Sequence, residues 1–171
     1  MTTTPATPVT WQQLAECLRT ELADYGGLLA SFEEQQRALF ARHANEVLRL
    51  SSEIEGHARA VQSSRQRRED AVAAYATGHG QPPAATLRSL LPLVAAEARP
   101  LLEALIDEVN HLIHRVRRVS RHNHTLLSRT VDLHQEILRT LRPDSFTQTY
   151  APNGRMTLGA VSPTPALQAA G

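Results

Sequence analysis

Hydrophobic residues recur along most of this chain at steps of three and four. From Trp11 they fall at Leu14, Leu18, Leu22, Tyr25, Leu29, Phe32 and Leu39. A period of about 3.5 predicts a helix with one narrow apolar stripe. Thr10-Trp11-Gln12-Gln13 has capping-box form: the hydroxyl takes an orphan backbone N–H, and the glutamine reaches back to the cap. The stripe resumes at Val47, Leu50, Ile54 and Val61 and fades through Val72 and Tyr75, with His43 and Asn45 interrupting it. Two readings stay open. One is a single helix from Thr10 to about Ala76, about 100 Å long at 1.5 Å per residue. The other is a break near Arg42–Asn45.

Thr77-Gly78-His79-Gly80-Gln81-Pro82-Pro83 stops the pattern and predicts a turn. The turn is short, so the next helix is expected to return antiparallel. A second pattern starts near Ala84 or Thr86. It runs through Leu87, Leu91, Val94, Leu101, Leu105, Val109, Leu112, Val116, Val119, Leu126, Val131, Ile137 and Leu141. Pro92 and Pro100 lie inside it. An interior proline removes a hydrogen bond and clashes with the preceding turn, so a short helix before Pro92 and a restart at Pro92 or Pro100 are expected. Arg142-Pro143 ends the long helix.

These elements predict an all-α fold: an elongated antiparallel helical hairpin or three-helix coiled coil over residues 10–142, with its turn near 77–85. Residues 1–9, rich in Thr and Pro, are expected to be a flexible N-terminus. Residues 143–171 carry Pro, Thr, Ala and Gly with scattered apolar residues. They bury too little to offset their ordering entropy and are expected to form a disordered tail.

Composition sharpens this picture. The 171 residues suit one domain with a tail. Aromatics are 4% against 42% apolar residues, so the core is built from Leu, Ala and Val, which favours helices over a sandwich or barrel. A net charge of +1 removes bulk electrostatics as an argument for nucleic acid. All 18 basic residues are Arg, which reads as the codon bias of a GC-rich genome. The single cysteine, Cys17, excludes an internal disulfide framework and a Cys-rich zinc site, and its expected role is packing. No secretory signal and no apolar run near the roughly 18 residues of a membrane span are visible, so a cytoplasmic protein is expected.

Candidate chemistry is sparse. Glu108-Val109-Asn110-His111 has the Glu-x-x-His spacing of di-iron bundles, but no second such motif accompanies it. His111 and His114 share a face, with His122 and His124 nearby, yet two ligands close no metal site. Arg115, Arg117, Arg118 and Arg121 form a basic cluster, echoed by Arg65, Arg67 and Arg68. No aromatic interleaves them as a stacking platform, so nucleic acid is not expected as a partner. No nucleophile elbow or phosphate loop is present. No catalytic residue, metal site or cofactor is expected, and the chain reads as a non-enzyme. The unusual segment is Leu126 to Leu141. Leu126, Leu127, Val131, Leu133, Ile137, Leu138 and Leu141 cover more than one seam, which gives either a groove-binding face or an end packed on the first helix.

Asn123-His124-Thr125-Leu126-Leu127, then Val131 and Ile137-Leu138, resembles the last-helix motif of FlgN-type flagellar export chaperones. Tyr150-Ala151-Pro152-Asn153-Gly154 is similar to that family's Tyr-Gly-x-(Asp/Asn)-Gly signature, with Ala151 in place of its glycine. Leu87 to Leu105, with two prolines, also looks like the start of the family's final helix. The resemblance implies a cytosolic chaperone of type III flagellar secretion. Such a chaperone binds the C-terminal helices of the hook–filament junction proteins, prevents their premature association and delivers them to the export gate. It places substrate contacts at Leu126, Leu127, Val131, Ile137, Leu138 and Leu141 with Asn123 nearby, and export-gate docking at Tyr150 and Gly154. The alternatives are a structural coiled-coil scaffold or granule-associated protein with no export role and, more remotely, a metal-binding bundle. Helical hairpins pair readily, so a homodimer is a partner state the sequence leaves open.

Overall fold

In the computed structural model, which describes residues 9–141, 146–150 and 156–160, Thr10 starts the first helix through a complete capping box. Its hydroxyl accepts from the Gln13 backbone N–H at 3.4 Å, and Gln13 Oε1 accepts from the Thr10 N–H at 2.8 Å. Helix α1 spans Trp11–Phe40. It ends in a Schellman motif: His43 N–H donates to Ala38 O and Arg42 N–H to Leu39 O, with Arg42 at φ 59°. Helix α2, Ala44–Gly78, follows at once, so the stripe is broken where His43 interrupts it.

Side-chain pairs fix the direction of α2. Glu21 meets Arg68 and Gln35 meets Ser51, so α1 and α2 run antiparallel. Helix α2 ends in a second Schellman motif, Gln81 N–H to Ala76 O and Gly80 N–H to Thr77 O, here with glycine at φ 69°.

The prolines act as expected. Thr86 caps a one-turn helix α3, Leu87–Leu90, and Pro92 sits in the 3-10 turn Leu91–Leu93. Helix α4 restarts at Arg99, with Pro100 in its first turn where a missing N–H loses no bond, and runs to Leu141. Arg99 ties the connection to the helix by donating to Val94 O at 2.9 Å and Pro92 O at 2.8 Å. Tyr75 OH donates to Leu93 O at 3.4 Å, which sets this connection beside the C-terminal end of α2. Asn123 then reaches Phe32 and Gln35 of α1, so α4 returns antiparallel to α2.

Met1–His124 and Thr125–Gly171 are two compact units. The first holds a core in which Leu14, Leu18, Leu50, Leu90 and Leu102 are fully buried, joined by Val61, Val72, Val109 and Val116. One buried charge interrupts it. Glu21 Oε2 accepts from Arg68 Nε at 2.6 Å, and among the described residues Oε1 has no partner. Such a pair adds little net stability while intact, but removing Arg68 alone would strand a buried carboxylate.

The second unit contains the last turns of α4 and a feature the sequence analysis does not assign. Strands β1, Phe146–Tyr150, and β2, Met156–Ala160, pair antiparallel, with Phe146 opposite Ala160 and Tyr150 opposite Met156. The rest of the expected tail, and residues 1–8 of the expected N-terminal segment, lie outside the described residues.

Candidate functional site

The end of α4 is apolar and open. Val131 is 53% exposed, Leu133 60%, Ile137 46%, Leu138 48% and Leu141 71%. Leu126 and Leu127 are half-buried, and no described residue of α4 beyond Asn123 is fully buried. Several polar residues among them bond within the helix. Thr130 Oγ1 donates to Leu126 O at 2.9 Å, His134 Nδ1 lies 2.7 Å from Thr130 O, and Thr140 Oγ1 donates to Glu136 O at 2.9 Å. Arg139 and Glu136 pair at 3.8 Å. What remains unsatisfied is apolar area in water, which a partner's apolar face would cover.

Asn123 is placed differently from these leucines. It is 1% exposed, and its Nδ2 donates to Phe32 O at 2.7 Å and to Gln35 Oε1 at 3.1 Å. Gln35 Nε2 donates to Ser51 Oγ at 3.0 Å, and Ser51 Oγ donates to Val47 O at 2.8 Å. One residue from each of α4, α1 and α2 therefore joins a polar layer, with Asn123 and Gln35 buried and Ser51 half-buried. In a helical core such a layer sets register more than it adds stability. Asn123 Oδ1 is buried and has no partner among the described residues.

Tyr150 closes strand β1, opposite Met156. Gly154 lies outside the described residues. Leu133 shares the exposed end of α4, although the family pattern did not single it out. Phe40 and Leu48, 67% and 70% exposed beside the α1–α2 turn, are absent from the sequence reading. They fall outside the 3–4 stripe, and that departure was their only signal.

The remaining candidates are surface features. Glu108 and His111 are exposed on α4. Among the described residues no three His, Cys, Asp or Glu side chains gather as a metal site. His111, His114, Arg115, Arg118 and Arg121 line a depression of about 600 Å³, and Arg115 reaches Glu33 at 3.3 Å. Cys17 is half-buried in a groove of about 420 Å³ with Gln13, Thr20, Ser64 and Arg67. Burial pushes its thiol above the ordinary range, opposite to what a reactive cysteine needs. No described helix is long and apolar enough to cross a membrane.

A family model described as "FlgN protein" matches residues 1–157. Searches of curated proteins and of solved structures found no match.

Proposed function

The chain belongs to the FlgN family of flagellar export chaperones, and from that membership we propose that it captures the C-terminal helices of the hook–filament junction proteins in the cytosol. In this reading it keeps them from associating early and hands them to the export gate. The family is one of chaperones, not enzymes. The observation that carries the reading is the exposed ladder Val131, Leu133, Ile137, Leu138 and Leu141 at the end of α4. Amphipathic helical segments laid on it would bury its apolar face and their own without ATP or a cofactor. Asn123 contributes by fixing the register of α4 on α1 and not by touching substrate, because it is already buried. Tyr150 is the proposed gate anchor, a large side chain with few rotors and one hydroxyl.

Calorimetric titration with the C-terminal segments of the two junction proteins tests the reading. Micromolar or tighter one-to-one binding with a negative heat-capacity change is expected. Leu138→Asp is expected to abolish capture with helix content intact, and equal binding by variant and parent would sink the assignment. Tyr150→Ala is expected to leave capture unchanged and weaken pull-down of the gate's cytoplasmic domain. Undiminished pull-down would remove Tyr150 from the docking role.

A further inference from the structure

We propose that the end of α4 takes two helical segments of one substrate chain, not a single helix, an inference that rests on the chaperone reading above. In a heptad frame with Leu127 at position a, apolar residues occupy a (Leu127, Leu141), d (Ile137), e (Val131, Leu138) and g (Leu126, Leu133). At about 100° per residue they span an arc of roughly 160°. A helix that meets one partner uses a narrow a/d seam, whereas a bundle helix fills e or g as well.

The earlier turns of the same helix calibrate the comparison. There Leu102, Val109 and Val116 stand at d, and Leu105, Leu112 and Val119 at g, while Glu103, Asn110, Arg117 and His124 keep e polar. That narrower stripe packs into a core built with two helices, α1 and α2. The stripe over Leu126–Leu141 fills e in addition, so covering it takes at least two helices as well. Thr130 at d, His134 at a and Thr140 at g break the apolar run; the two hydroxyls and His134 Nδ1 bond to the backbone of their own helix, which leaves His134 Nε2 as the polar atom a partner has to meet.

Supplying both helices from one chain loses translational and rotational freedom once rather than twice. A second copy of this chain is the poorer occupant. Meeting the face in parallel register, it would set Thr130 and His134 against their own counterparts and double the polar breaks in the seam.

The test uses the full chain and a full-length junction protein of the same bacterium. Val131→Asp and Leu133→Asp alter opposite edges of the arc at exposed positions, and circular dichroism verifies that both variants keep their helix content. Each is expected to weaken capture tenfold or more, with a one-to-one complex by light scattering. Cysteines introduced as Val131→Cys and Leu133→Cys, in a Cys17→Ser background, are both expected to be protected from maleimide in the complex. If one edge is silent in affinity and labelling, a single helix covers the face and the inference is overturned. A complex holding two substrate chains, or two copies of this chain joined through α4, overturns it too. If the parent protein captures no junction protein at all, the chaperone reading itself fails, a result distinct from one silent edge.

Discussion

Leu102 and Leu141 lie on one helix and follow one spacing, yet the first has no exposed surface and the second is 71% exposed. Near Leu102 the apolar stripe is spent on holding α4 in the core of Met1–His124. Near Leu141 the same kind of stripe remains in contact with water. Burial, not residue type, separates stability from binding here, because apolar area contributes free energy only once water is excluded from it.

The sharpest way to break this contrast is a matched pair of truncations. Leu102→Ala removes packed atoms and leaves a cavity, and is expected to destabilise the fold by about 3–4 kcal/mol in urea melts. Leu141→Ala is expected to stay within about 0.5 kcal/mol. Equal losses would mean that the end of α4 is part of the folded core.

The two Schellman turns give a finer test confined to the first unit. Arg42 holds a left-handed conformation that disfavours a side chain, while Gly80 holds the same conformation freely. Arg42→Gly is expected to stabilise by up to about 1 kcal/mol, and Gly80→Ala to destabilise by a similar amount. Both should leave substrate capture unchanged, and a change in capture would show that the two units do not act separately.

The smallest effect concerns alkaline pH. Burial, then the nearby Glu21 carboxylate, raises the Tyr25 hydroxyl above its ordinary value, and burial raises Tyr75. A raised folded value means that the stability is fully present below the unfolded pKa, about 10, and is lost as pH rises through the folded one. Urea melts should therefore weaken above about pH 10, and Tyr25→Phe should flatten that limb. An unchanged slope would remove Tyr25 as a contributor.

How much of this was readable depended on whether the chain marked its turns with residues that have no alternative. Pro92 and Pro100 could not sit inside a helix, so the restart of α4 was foreseeable. Gly80 and the two prolines after it announced the end of α2. The α1–α2 turn had no such marker. Arg42 takes the position usually held by glycine, so one helix and two were equally consistent with the sequence. Glu21 was hidden for a related reason. It follows Leu18 at helical spacing, and its burial depends on Arg68, 47 residues away, which no local pattern reveals. The β1–β2 pair was overlooked because the tail was judged on total burial. Phe146-Thr147-Gln148-Thr149-Tyr150, with its aromatic and β-branched residues, favours a strand. At the candidate site the sequence supplied the ladder but not its exposure. It placed Asn123 beside the leucines, whereas the polar layer with Gln35 and Ser51 holds that residue inside the core.

The three residues between α1 and α2 also set a timetable. Bringing the helices together closes a very short loop, so their pairing carries little closure entropy and its contacts are local in sequence. At synthesis rates of about 5–20 residues per second, the 63 residues after Gly78, up to the end of α4 at Leu141, take about 3–13 s to make. Helical hairpins pair far faster than that. The α1–α2 hairpin is thus already paired when the apolar end of α4 leaves the ribosome.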